Sequence, residues 1–116
     1  MNYGRPSRGQ IWLIDLNPVV GHEQGETRPA LVISDDQLNQ GPSGLVTVLP
    51  ITTTERNIPI HVKIVRGVGG LSKDSWVLCD QIRTVSIERL IKPYEPVGPN
   101  VMKEVEERVK IALGLH

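Results

Sequence analysis

The residues able to do chemistry are few, and they gather at the ends of apolar runs. Arg28 stands in Thr27-Arg28-Pro29 at the mouth of Ala30-Leu31-Val32-Ile33-Ser34, behind the polar loop Gly21-His22-Glu23-Gln24-Gly25-Glu26. Thr52, with Thr53 and Thr54, follows an interruption at Pro50 in the run that begins at Leu45. Asp80-Gln81 breaks a third apolar run that starts at Ser75. A guanidinium offers planar, paired donors to phosphoryl or carboxylate oxygens and keeps its charge at any working pH. A threonine hydroxyl adds a short neutral donor but cannot act as a strong base. An aspartate charge in mid-strand is costly to bury unless paired. Asp80 is therefore expected to face a polar cleft or a cation such as Arg28 or Arg83. The plainer alternative for Arg28 is a surface ion pair with Glu23 or Glu26.

Other chemistries find little support. His22, His61 and His116 lie far apart, with no paired cysteines, so no recognisable metal-ligand set is present and no cofactor is expected. Gly67-Val68-Gly69-Gly70 has no lysine-serine pair after it and reads as a hairpin turn rather than a phosphate loop. Cys79 has apolar neighbours and no basic flank, which marks a core residue rather than a nucleophile. Trp12 and Trp76 read as core or interface packing. Thirteen basic and thirteen acidic residues cancel, so any nucleic-acid surface must be a local patch. The lone cysteine fits a reducing compartment. No basic-plus-apolar leader opens the chain and no apolar stretch approaches membrane-spanning length, so a soluble cytoplasmic protein without a membrane partner is expected.

These residues must be held by a small scaffold, and 116 residues suit one domain, 1–116. Residues 10–16 are apolar on both faces, as a buried strand is, and Asn17-Pro18 ends them. Residues 28–34 form a second strand, 35–40 a short helical turn, and 45–53 a third strand with an edge or bulge at Pro50. Residues 58–65 alternate, with His61 and Lys63 on the exposed face. Residues 75–86 read as one long strand and 91–97 as a weak edge strand. At the end, Val101, Met102, Val105, Val109, Ala112 and Leu113 recur at helical spacing after Asn100, a suitable cap. The pattern predicts a strongly bent antiparallel sheet or half-open barrel closed by one amphipathic helix.

Taken together, four blocks resemble the MazF/PemK toxin family: Gly9-x-Ile11-Trp12-Leu13-x-Asp15-Leu16-x-Pro18, the loop and strand 21–34, Val48-x-Pro50-Ile51-Thr52-Thr53, and Cys79-Asp80-Gln81-Ile82-Arg83-Thr84. The resemblance runs in order over nearly the whole chain. It implies a mainly β fold, an SH3-like small antiparallel barrel of the CcdB/PemK type with a C-terminal helix, in a homodimer. The implied activity is a metal-independent, sequence-specific endoribonuclease that cuts single-stranded RNA and is neutralised by a cognate antitoxin. Arg28 and Thr52 match the family's catalytic arginine and threonine. Glu23 and Gln24 match the loop covering the RNA, and His22 and Asp80 match residues given acid–base work in the PemK/Kid branch. Thr53 and Gln81 flank these positions as possible substrate contacts. The chain departs from that branch at Leu78, where the branch has an arginine two residues before the aspartate. That departure moves the expectation from an Asp80-centred site to Arg28 with Thr52. The alternative, a non-enzymatic gyrase poison of the CcdB branch, shares the fold but has no need of Arg28, Thr52 or the loop 21–25.

Overall fold

The computed structural model describes residues 3–115. Seven strands carry it: β1 (Gln10–Asp15), β2 (Thr27–Val32), β3 (Leu45–Thr52), β4 (Val62–Ile64), β5 (Ser75–Val77), β6 (Arg83–Ser86) and β7 (Leu90–Pro96). Helix α1 (Asp36–Gln40) lies between β2 and β3, and α2 (Pro99–Leu113) ends the chain. Every pairing is antiparallel, in the order β4-β5-β3-β2-β1-β7, with β6 also on β3. Among the described residues the path ends at β4 and β7 without closing, so the barrel expected from the resemblance is a half-open one.

The central strands are apolar on both sides because both sides are covered. Ile11, Leu31, Leu49 and Ile51 pack with Val62, Ile64, Val77 and Cys79 beneath Val105 of α2. Their alternates Trp12, Ile14, Ala30, Val32, Val46 and Val48 pack on the opposite face with Leu16 and Val85. Burying such side chains contributes about 1.5–3 kcal/mol each, which fixes the register: a slip of one residue would exchange the two cores.

The 75–86 run is not one continuous strand. β5 pairs with residues 51–52 of β3 and β6 with residues 45–48. Between Val77, opposite Ile51, and Arg83, opposite Val48, five residues face two, so residues 78–82 form an irregular loop that keeps Leu78 and Cys79 buried and turns Asp80 outward. The backbone N–H of Leu78 still donates to Pro50 O at 2.9 Å. Pro50 has no N–H to return, and the ladder opens there. The strand expected at 58–65 shrinks to β4, because Asn57 takes a positive φ of 52° and the Ile58 carbonyl accepts from His61 N–H in a turn. Asn100, expected as a cap, lies inside α2. Pro99 takes the first helical position, for which its fixed φ and missing N–H suit it, and Gly98 caps it. The helix leaves the sheet at its last turn, so Ala112 and Leu113 are exposed rather than packed.

Candidate functional site

β2 and β3 pair as Ala30 with Pro50, Leu31 with Leu49 and Val32 with Val48. Continued two residues past the last bonded pair, that register sets Arg28 and Thr52 on the same face, at the end where β2 stays on β1 and β3 passes to β5. Both residues point away from the core under α2, since Leu31, Leu49 and Ile51 take the other face. Thr52 is 4% exposed and its Oγ1 accepts from Thr54 N–H at 3.2 Å. Arg28 is anchored through Nε, which donates to Gly25 O at 2.8 Å, and Nη2 lies 3.4 Å from Glu26 Oε2. The surface ion pair thus exists, but it is long and its carboxylate is 80% exposed, worth at most about 1 kcal/mol. The Nη edge remains the part of the guanidinium available to an incoming anion.

The loop 17–26 is tied down at several points. Leu16 N–H donates to Glu26 O, Glu26 N–H to Asn17 Oδ1, and Val20 N–H to Glu23 Oε1. Gly25 is closely packed: a Cβ there would stand 2.9 Å from Asn17 Oδ1, so the Asn17 side chain that holds Glu26 N–H would have to shift. Gln24 joins three segments, since its N–H donates to Gln81 Oε1 at 2.7 Å and its Oε1 accepts from Arg56 Nη2 at 2.7 Å. His22, Glu23, Asp80, Gln81 and Arg83 line one cleft of about 450 Å³ with Val20 and Ile82. The sequence-predicted residues therefore form two neighbouring groups. Arg28 and Thr52 share a sheet face, the acid–base candidates share the cleft, and Gly25 and Gln24 connect them. Thr53 is exposed just beyond Thr52.

Asp80 is on the outward loop rather than in mid-strand, half-exposed, and its partner is neither Arg28 nor Arg83. His61 Nε2 lies 3.0 Å from Asp80 Oδ1, with the histidine side chain only 3% exposed and its Nδ1 buried without a partner. Arg83 instead donates to Leu16 O at 2.6 Å. The strand reading had put His61 on an exposed face; the turn before β4 brings it inward, and alternation alone could not reveal that. Cys79 is buried, and burial first, then the Asp80 charge beside it, pushes its thiol up to about 12, which disqualifies it as a nucleophile. Among the described residues no three His, Cys, Asp or Glu side chains gather to hold a metal ion.

Trp76 went unnoticed as a surface group. It is only half-buried on β5, directly opposite Thr52 on one side and Lys63 on the other. Lys63 Nζ lies 5.8 Å from the centre of its ring.

Comparison with known proteins follows the same lines. A sequence model of the PemK-like, MazF-like toxins of type II toxin-antitoxin systems matches residues 7–113. The Endoribonuclease MazF of Staphylococcus saprophyticus is 39% identical over 110 residues, covering 94% of this chain and 92% of that protein. The crystal structure of MazF from Deinococcus radiodurans superposes with a TM-score of 0.84 at 28% identity, over 96% of this chain and 98% of that one. A mycobacterial endoribonuclease in complex with its cognate antitoxin superposes at 0.79 and 28% identity, over 96% and 97% of the two chains.

Proposed function

The chain belongs to the PemK-like, MazF-like family of type II toxins, and on that premise we propose that it cuts single-stranded RNA at a preferred sequence, without a metal, by attack of the substrate's own 2′-OH. It is an endoribonuclease toxin with an antitoxin as partner, as its relatives are. The observation that supports the finer reading is the β2–β3 register, which, continued two residues beyond the Ala30–Pro50 pair, brings Arg28 and Thr52 to the same face. The 2′-oxygen attacks phosphorus in line with the 5′-oxygen, a P–O bond forms as the P–O5′ bond breaks, and charge grows on the non-bridging oxygens. The Arg28 Nη edge and the Thr52 hydroxyl are the donors we assign to those oxygens, a role for which preorganised groups are worth on the order of 3–4 kcal/mol each. Two protons must move, one off the 2′-OH and one onto the leaving 5′-oxygen. His22, Glu23 and Asp80 are the ionisable candidates in the adjoining cleft, and Gln24, Thr53 and Gln81 the polar groups placed to contact the substrate. The products would be a 2′,3′-cyclic phosphate and a 5′-hydroxyl.

We further propose that residues 1–116 act as one domain, that the toxin works in the cytoplasm as a homodimer, and that an acidic antitoxin segment competes with RNA for the cationic groups Arg28, Arg56, Lys63 and Arg83. Ile111, Leu113 and Leu115, exposed together at the end of the chain, support a partnered surface. No helix among the described residues is long and apolar enough to cross a membrane. A gyrase-poison role is not favoured, since the relatives are named endoribonucleases. Primer-extension mapping of a long RNA incubated with purified protein tests activity and sequence preference together. Stops clustered at one short motif are expected; an uncut RNA in the presence of folded protein would overturn the reading.

A further inference from the structure

The register places four chemically different side chains in one row across the sheet. Thr52 is opposite Trp76, Trp76 is opposite Lys63, and the β2–β3 register continued sets Arg28 on the same face as Thr52. At strand spacing the row runs about 5 Å per step, so Trp76 is one step and Lys63 two steps beyond Thr52. Directly opposed residues of an antiparallel pair share a face, and Val62, Ile64, Val77 and Ile51 occupy the other one, in the core. The row therefore lies on the face turned away from that core, buried at Thr52 and opening to solvent at Trp76 and Lys63.

Trp76 stands in this surface half-buried, where a core tryptophan would be enclosed as Trp12 is. Clefts of about 260 and 570 Å³ flank it, the first with Arg56 and Lys63, the second with Thr53, Arg66 and Lys73. Their charged residues are four cations against two carboxylates, Glu55 and Asp74, in a chain whose net charge is zero. Asp74 lies 3.7 Å from Lys63 Nζ, but both are about half exposed, and such a pair gives way easily to a phosphate. An indole face beside ammonium and guanidinium groups is the arrangement that holds a single strand, with the base on the ring and the phosphates on the cations.

The geometry points to a flanking-nucleotide subsite: the base of a nucleotide next to the scissile step stacks on Trp76, and Lys63 meets the phosphate beyond it. This inference rests on the ribonuclease reading of Arg28 and Thr52 and adds a determinant of which RNA is held. Stacking requires a π-face and little else, so the subsite adds affinity with mild base preference, while the loop 17–26 is left to read bases by hydrogen bonds.

The test uses an RNA oligonucleotide spanning the mapped cleavage motif, together with versions trimmed on the 5′ and on the 3′ flank. Trp76→Leu should raise KM on the full oligonucleotide by about tenfold or more, the scale of one lost base stack, with kcat within twofold. On the version trimmed of the flank that reaches Trp76, wild type and variant should converge. Trp76→Phe should recover most of the loss, and Lys63→Gln should flatten the slope of log K against log salt by roughly 0.7. Thermal unfolding of each variant separates these effects from misfolding, and Lys63→Gln and Trp76→Phe keep the test decisive if Trp76→Leu is unstable. An unchanged KM for folded Trp76→Leu overturns the subsite. So does an equal loss of kcat on all lengths, which would make Trp76 only a support for Thr52. Weakened antitoxin binding with unchanged KM would assign the surface to the antitoxin instead. If wild type cuts none of the oligonucleotides, the ribonuclease reading falls and the subsite with it, a result distinct from all of these.

Discussion

Replacing Arg28 with alanine separates what the residue does for the fold from what it does for the reaction. Its contribution to stability is small. The Nε bond to Gly25 O is partly exposed, and the Glu26 contact at 3.4 Å reaches an 80% exposed carboxylate. Together these are worth about 1 kcal/mol net, which lowers the Tm of a chain this size by roughly 3–6 °C. The catalytic cost should be larger. The Nη edge is the charged donor we assign to the phosphoryl oxygens, and losing one preorganised donor of that kind costs about 2.7–4 kcal/mol, or roughly a hundred- to a thousandfold in kcat. Arg28→Lys keeps the charge but gives up both the Gly25 anchor and the planar pair of donors, so it should recover less than a tenth of the lost rate. The assay is kcat and KM on a fluorogenic oligonucleotide carrying the mapped motif, beside circular dichroism and thermal unfolding of each variant. A folded Arg28→Ala protein that cuts within threefold of wild type refutes the assignment. Full activity in Arg28→Lys would refute the part of it that depends on guanidinium geometry.

Thr52→Val, nearly isosteric but without the hydroxyl, should slow cleavage on the order of a hundredfold while Thr52→Ser retains most activity; single-turnover rates decide this. A deoxyribose on the 5′ side of the scissile phosphate should abolish cutting with binding within a few-fold, and cleavage should persist in excess EDTA. Cutting of the deoxy substrate, or arrest by EDTA, would instead indicate a metal-activated water. The raised thiol pKa of Cys79 gives an alkaline signature. The folded state favours the neutral thiol, so its contribution is complete below the ordinary value of 9.0 and is lost as pH rises toward about 12. The limiting slope is about 1.4 kcal/mol per pH unit; Cys79→Ala should remove that slope in denaturant titrations from pH 9 upward, and an unaltered slope would contradict the buried thiol. Sedimentation at micromolar concentration should give twice the 12.9 kDa protomer mass, and a purely monomeric species would rule out the homodimer.

Strands β1, β2 and β3 and helix α2 were legible because burial on both sheet faces and on one helix face leaves a periodic mark on the chain. The errors fall where a non-local partner sets the local conformation. Residues 75–86 carry strand composition throughout, and only the pairing with β3 requires five residues to face two between Val77 and Arg83. The alternation at 58–65 was real in composition, yet Asn57 and the Ile58–His61 turn leave three residues to β4 and turn His61 inward to Asp80. A buried histidine with one carboxylate partner has no sequence signature. Its placement depends on two loops, 53–61 and 78–82, meeting in space.

The site divides the same way. Arg28 and Thr52 could be picked out by type and by resemblance, but that they fall on one face at the same end of the sheet follows from the β2–β3 register continued past Ala30–Pro50, which no local pattern contains. That register also explains how a protein of zero net charge can hold a polyanion. Acidic residues are not removed from the site but are outnumbered where the strand would run. Glu23 and Asp80 line the cleft beside Arg83, and Glu26 flanks Arg28. Along the face that runs from Thr52 through Trp76 to Lys63, cations outnumber carboxylates, with Arg56, Lys63, Arg66 and Lys73 against Glu55 and Asp74 around a single indole. Aromatic residues make up only 3% of the chain, a count that by itself offers little for base stacking. One tryptophan at a register position next to Thr52, the threonine we propose as catalytic, carries more weight than that count, because a strand held at several points needs only one stacked base to fix its path past Arg28.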